Sequence, residues 1–436
     1  IQLTGRSAPT TAQDLTDNVG DGLELYGVAV LAKSGPIVLT GTTSAASSSN
    51  RYGLAMDHSS AGSLTPSQVS IGARAATTVE NVDMSTSTSN VTLNVDSFII
   101  GSATQAKSVL TTGTFTMQPA DGAQSFDRTV DLTGLTISSG VTGVTLGQSG
   151  TGGTVSGATQ NNTDFTIANA ISAAGPIRVY GKTITASANL TTTNASEILL
   201  KGTQDVLISA GTSASRRSVT TSGGAVTLWA NADASSLGSI EVGNYTDIST
   251  GAGAITLAGS TTATEAAPTG YATGSTNSFG VEIGTSAVAT DSVKLTTTSG
   301  AITIRGLMSQ TNSLGVGVAI VSGSNLTSST GPITIDGQSY LPTGTSQGHA
   351  TYLNYLGGYT STITTGATSG TAISISGVVT SGAGSSTNAF GVLAWLGTGS
   401  NNISATGGGS ISVSGVAATN TGDSIALNKT NLFATS

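Results

Sequence analysis

The chain has 436 residues and a net charge of −8, yet only 8% of its residues are charged, against about 25% in an ordinary soluble domain. Its 14 basic residues are scattered, with Arg216-Arg217 the only adjacent pair, which argues against a nucleic-acid partner. Cysteine is absent, so disulfides and thiolate metal sites are excluded, and no apolar run reaches the roughly 18–20 residues of a membrane-spanning helix.

Gly, Ser, Thr, Ala and Asn dominate the rest. Such a composition often means disorder, because too little apolar surface is buried to offset ordering entropy. Here 37% of residues are hydrophobic. Val, Ile and Leu fall in short alternating runs, the mark of half-buried strands. The chain starts at Ile1 without Met or a signal peptide, as expected of a processed product or a section of a longer protein.

Residues 1–90 form a less regular start. They already contain YGVAVL from Tyr26, GPIVLTG from Gly35 and YGLAM from Tyr52. Residues 131–211 read as irregular coils, with strands around Leu135 and Ile137, Val144 and Leu146, Phe165 and Ile167, and Val206 and Ile208. The clearest repeats occupy 222–415. One phrase, GAITLAG from Gly253, returns as GAITIRG from Gly300, GPITIDG from Gly331, TAISISG from Thr371 and GSISVSG from Gly409. Its period of two sends Ile302 and Ile304 to one face and Thr303 to the other. A second phrase falls about midway, as FGVEIG from Phe279, LGVGVAIV from Leu314, ATYLNYLG from Ala350 and FGVLAWLG from Phe390. The simplest unit is two coils of roughly 20 residues, or one larger coil with two strands.

Repeated short strands with Gly-rich turns suit a propeller, a sandwich array or a solenoid. No blade signature or Trp-centred immunoglobulin spacing is visible. Variable spacing favours an all-β parallel β-helix with Gly/Ser/Thr-rich turns, one continuous structure over 1–436 with insertions leaving at the turns.

DLTGLTISS from Asp131, the run from Ala174 that begins AGPIRVYGKTITASANL, and GGAVTLWANAD from Gly223 resemble filamentous-haemagglutinin-like bacterial surface exoproteins. The resemblance covers most of 131–415 and rests on repeat style. It implies a right-handed β-helical rod, secreted or displayed on a bacterial surface, that works in adhesion or biofilm matrix. The family's Asn-Pro-x-Gly secretion phrase is missing from this chain.

Catalysis is not expected. Asn162-Thr163-Asp164 and Gly348-His349 echo pieces of a pectin-hydrolase site, but the paired Asp and the Arg-x-Lys phrase that such chemistry uses are absent. Asp14, Asp17 and Asp21, like Asp121, Asp127 and Asp131, read as surface turns and not as calcium ligands. With two His, His58 and His349, neither a transition-metal site nor a triad is expected, and no cofactor.

The aromatics carry the surface signal. Aligning FGVLAWLG with ATYLNYLG, and taking Glu282 of FGVEIG as outward, places Leu353, Tyr355, Leu393 and Trp395 outward together. Such a patch suits a partner protein or sugar rings; alternatively, a neighbouring loop covers these rings. The expected function is a structural and adhesive stalk that binds host or neighbouring-cell glycans or proteins. The alternatives are a filament subunit that joins other copies of itself, end to end or laterally, and a polysaccharide-active enzyme.

Overall fold

A computed structural model describes the chain except residues 8–20, 44–51, 57–67, 76, 80, 102–105, 121–125, 149–162, 235–236, 275–278, 287–291, 310–313, 342–346, 382–387, 395–398, 418–422 and 436. The described residues form strands and turns without a helix, so none offers a helix long and apolar enough to cross a membrane. The fold is a parallel β-solenoid with three faces, each coil contributing one strand to each face.

Two compact units divide the chain, Ile1–Thr151 with Ser156–Thr193, and Gly152–Val155 with Asn194–Ser436. In the first unit, the first face holds Gln2–Ser7, Ile37–Thr43, Val91–Val95, Thr114–Gln118, Gly143–Leu146 and Ile177–Gly181. Its second and third faces begin at Leu23–Leu25 and Ala29–Leu31. In the second unit, the first face runs from Ile198–Gly202 through Ile302–Met308, Ile333–Leu341 and Thr371–Ser381 to Ser410–Ala417. The second face there includes Ile240–Val242, Phe279–Ile283, Leu314–Val321, Gln347–Tyr355, Asn388–Ala394 and Ile425–Leu427. The third includes Thr246–Ser249, Val293–Thr297, Asn325–Ser328, Ser361–Thr365, Asn401–Ala405 and Thr430–Ala434.

The coil thus differs from the two-strand unit expected from the phrases. The first phrase builds the first face and the second phrase the second face. The third face escapes notice because its inward positions mix apolar residues with hydroxyls. In Asn325–Ser328, Leu326 and Ser328 are both buried, and in Thr246–Ser249, Thr246 lies beside Ile248 in the interior.

Register stacks like on like. Ile302 pairs with Ile333 and Ile333 with Ile373, while Ile304, Ile335 and Ile375 form the neighbouring column. All six are fully buried. The intervening Thr303, Thr334 and Ser374 turn outward and are half-exposed, in agreement with the period-two reading.

Two devices set the corner between the third and first faces. A buried hydroxyl closes the turn onto the carbonyl three residues on, as Thr221 does with Gly224, Thr250 with Gly253 and Thr297 with Gly300. The Gly itself is required by the coil before it. A Cβ on Gly300 would stand 1.9 Å from the carbonyl oxygen of Gly253, and one on Gly331 would stand 2.1 Å from that of Gly300. Gly300 and Gly331 are therefore packing residues, because two backbones meet where no side chain fits.

Truncating Ile335 to Ala removes three carbons from a filled column and should cost about 2–5 kcal/mol. Outward Thr334→Val should stay within about 0.5 kcal/mol of the parent. Gly300→Ala must push adjacent coils away from each other and should lower the melting temperature at least as much as Ile335→Ala. Denaturant titration and thermal melts of the three variants, followed by circular dichroism, measure these effects.

Candidate functional site

The predicted patch is only partly at the surface. Leu353 and Leu393 are 1% and 3% exposed, so both are buried. Tyr355 is half-buried, and Trp395 lies outside the described residues. The sequence alignment is also one residue out. His349 pairs with Phe390, Tyr352 with Leu393, and Leu353 with Ala394. Leu353 and Leu393 therefore have opposite parity and never stand side by side.

A β-bulge against the neighbouring strand then sets the direction of Tyr355. Ile320 pairs with Leu353, but the next residue, Val321, pairs with Tyr355, leaving Asn354 as the extra residue. Asn354 takes a left-handed conformation, with φ of 57°, which Asn tolerates better than most residues. It is fully buried, and its Nδ2 donates to the carbonyls of Tyr359 at 3.0 Å and Ser400 at 3.2 Å. Leu353 is inward through its pairing with buried Ile320, and the inserted residue flips the alternation after it, re-aiming Tyr355. Two residues on, Leu356 also has a positive φ, 71°, and is exposed with Tyr359 on the same turn. A left-handed Leu costs roughly 1–2 kcal/mol.

Tyr355 lands among other rings. Its centroid is 5.3 Å from Phe279 and 5.1 Å from Tyr352, both edge to face. His349 lies 5.2 Å from Tyr352 and 5.4 Å from Phe390. Edge-to-face packing of this kind adds stability beyond area burial and fixes ring orientation. The set is drawn from Phe279–Ile283, Gln347–Tyr355 and Asn388–Ala394 on one face.

Carboxyls border the rings. Glu241 and Glu282 are in-register neighbours on adjacent coils, and Glu282, Ala319, Tyr352 and Leu393 follow one another in the same column. Burial, then the charge of Glu241, pushes the Glu282 carboxyl up to about 8. Burial and Asp205 raise Glu241. Both tyrosines are raised, chiefly by burial, with Tyr355 also facing Glu282 and Tyr352 facing Tyr355. Burial drives His349 down to about 4, partly opposed by a backbone hydrogen bond at Gly348. The imidazole is neutral at pH 7, and its Nδ1 has no hydrogen-bond partner among the described residues.

The other sequence candidates are held by local structure. The Asp164 carboxylate accepts from the Thr183 amide, and the Thr163 hydroxyl donates to the Phe126 carbonyl. Asp131, at the end of the strand Val130–Asp131, accepts from the amide and hydroxyl of Thr133. Asp14, Asp17, His58, Asp121 and Asn162 lie outside the described residues. No group of three or more His, Cys, Asp or Glu that could hold a metal ion occurs among the described residues.

Sequence reasoning passed over two lysines. Lys107 is wholly buried in an inward column between Val69 and Leu135. Lys201 lies over the Trp229 ring with its Nζ 3.9 Å from the centroid, and the indole Nε1 donates to Ser260 at 2.8 Å. Burial holds the Lys201 ammonium down at about 8. A run of alternating residues gave no signal for either, because a lysine on a strand ordinarily reads as solvated.

Comparison with family models, with curated proteins and with solved structures found no match. The functional reading accordingly rests on geometry.

Glu282 makes stability depend on pH with a definite sign. Its folded pKa lies above the unfolded value, 4.5. The stabilisation is complete below pH 4.5 and is lost as pH rises toward about 8, because the unfolded chain gives up the proton first. Glu282→Gln should flatten that slope. Thermal melts of parent and variant from about pH 5 to about pH 9 test it; the same slope in both would remove Glu282 as the cause.

Proposed function

We propose that this chain is a structural and adhesive stalk segment of a bacterial surface or biofilm matrix, secreted and non-catalytic, of the filamentous-haemagglutinin-like kind. The observation that carries the reading is the repetitive three-faced stack itself. Its interior columns are continuous in each unit, and its outward positions are mainly hydroxyls and amides. Such a scaffold supplies a sparsely charged, repetitive surface by adding coils of about 4.8 Å each.

The adhesive role falls to the ring cluster around Tyr352 and Tyr355. Half-buried, edge-locked aromatics offer area at little entropic cost, which suits the C–H faces of sugar rings or an apolar protein surface. The backbone strain at Asn354 and Leu356 supports this reading, since conformations of this cost persist where a site requires them. Leu356 and Tyr359 extend the exposed apolar area beside the cluster.

Tyr352→Ala with Tyr355→Ala should weaken retention on immobilised polysaccharides or whole cells about thirtyfold or more. That is the effect of losing about 2 kcal/mol at a contact centre. The β-type circular dichroism spectrum should persist. Retention equal to the parent's on every surface the parent binds would exclude the cluster as the contact site.

A further inference from the structure

We infer that the ring cluster binds an amino sugar with a free ammonium group, held between the Glu241 and Glu282 carboxyls and the rings of Tyr352 and Tyr355. The inference rests on the adhesive reading above and names the ligand class of that same site.

Four polar groups stand near one another on the second face without partners from the chain. Glu241, Glu282, Tyr352 and Tyr355 are all half-buried. Neither carboxyl and neither phenol has a hydrogen bond or ion pair among the described residues. Groups removed this far from water ordinarily find such partners, and going without them is costly. The two glutamates are in-register neighbours, on backbones about 4.8 Å apart. Only like charge acts on them, Asp205 on Glu241 and Glu241 on Glu282. His349, packed on Tyr352, adds no positive charge, because burial keeps its imidazole neutral at pH 7.

Rings border the carboxyl pair. Glu282 and Tyr352 lie two coils apart in one column, with the methyl group of Ala319 as the only side chain of that column between them. Tyr355 faces Glu282, and its ring meets those of Tyr352 at 5.1 Å and Phe279 at 5.3 Å.

This arrangement selects a ligand by charge. A cation gains from both carboxylates and from the negative faces of the rings. It also favours the ionised carboxyl, against the burial and like charge that raise Glu282. An acidic sugar would add like charge, and a neutral sugar would cover the pair without pairing it. A primary ammonium has donors to divide between two carboxylates, whereas a quaternary ammonium has none. The attached sugar ring brings C–H faces to Tyr352 and Tyr355 and hydroxyls to their phenols; a lysine stem brings no hydroxyl. Calcium takes about six to eight oxygen ligands, and no group of three or more His, Cys, Asp or Glu that could hold a metal ion occurs among the described residues.

Isothermal titration calorimetry of the whole chain tests this with two probes, a glucosamine hexamer and its fully N-acetylated counterpart. At neutral pH the parent should bind the glucosamine hexamer about tenfold or more tightly, the effect of one charge-assisted hydrogen bond. Glu241→Gln with Glu282→Gln keeps the shape and removes the charge, and should bind both hexamers equally. Tyr352→Ala with Tyr355→Ala should lose both. Should the double Gln variant lose its β-type circular dichroism spectrum, Glu282→Gln alone is read in the same way, as a reduced preference. Equal binding of both hexamers by the parent, with loss of both in the tyrosine variant, overturns the amino-sugar inference and leaves the adhesive reading standing. A preference that persists in the Gln variants places the ammonium elsewhere and overturns it too. Unchanged binding in the tyrosine variant overturns the adhesive reading and the inference together. A parent that binds neither hexamer, or that binds a lysine hexapeptide more tightly than the glucosamine hexamer, also overturns the inference.

Discussion

Within each unit, neighbouring coils rest backbone on backbone, and parallel in-register pairing governs the rest of the structure. The spacing between coils leaves no slack for a mismatch. On the first face an inward column repeats one residue type, Ile302 over Ile333 over Ile373. The corner Gly repeats for the opposite reason. There the previous coil's carbonyl fills the space a methyl group would need, as at Gly253 and Gly300. Differences in length between successive coils disturb neither, because the strands on either side keep the same register.

This constraint also explains how so few charges suffice. Backbone donors and acceptors are satisfied by neighbouring coils, and the turns that interrupt the faces are closed by hydroxyls such as Thr250 and Thr297. Ser and Thr can take that work because one hydroxyl both donates and accepts. Glu282 and His349 are two ionisable groups that enter the folded stack and are altered by it. Glu282 is driven up toward neutrality and His349 down, in both cases chiefly through burial.

Where register is broken, the surface acquires chemistry. The bulge at Asn354 turns a buried strand residue into an anchor and turns Tyr355 toward Phe279 and Tyr352. The ring cluster and its carboxyl border depend on that single inserted residue. Without it, Tyr355 would follow Leu353 into the interior. A stack built on repetition can thus carry a distinct ring cluster at one place without altering the coils above or below.

Composition and period-two patterning by themselves determined the solenoid class, the inward columns of the first face and the strands of the second. These features are local: alternation along four or five residues states which side is apolar. The third face was not legible, because Thr246 and Ser328 are interior residues whose burial is made possible by neighbouring coils. The ring cluster was legible only as an excess of aromatics near Tyr355. Its true membership, Tyr352 with Phe279 and His349 in place of Leu353 and Leu393, was decided by a pairing offset of one residue and a left-handed Asn354. Neither is written in local pattern. Register between strands some 40 residues apart is an energy of the assembled stack, and a one-residue slip exchanges the inside of a strand for its outside.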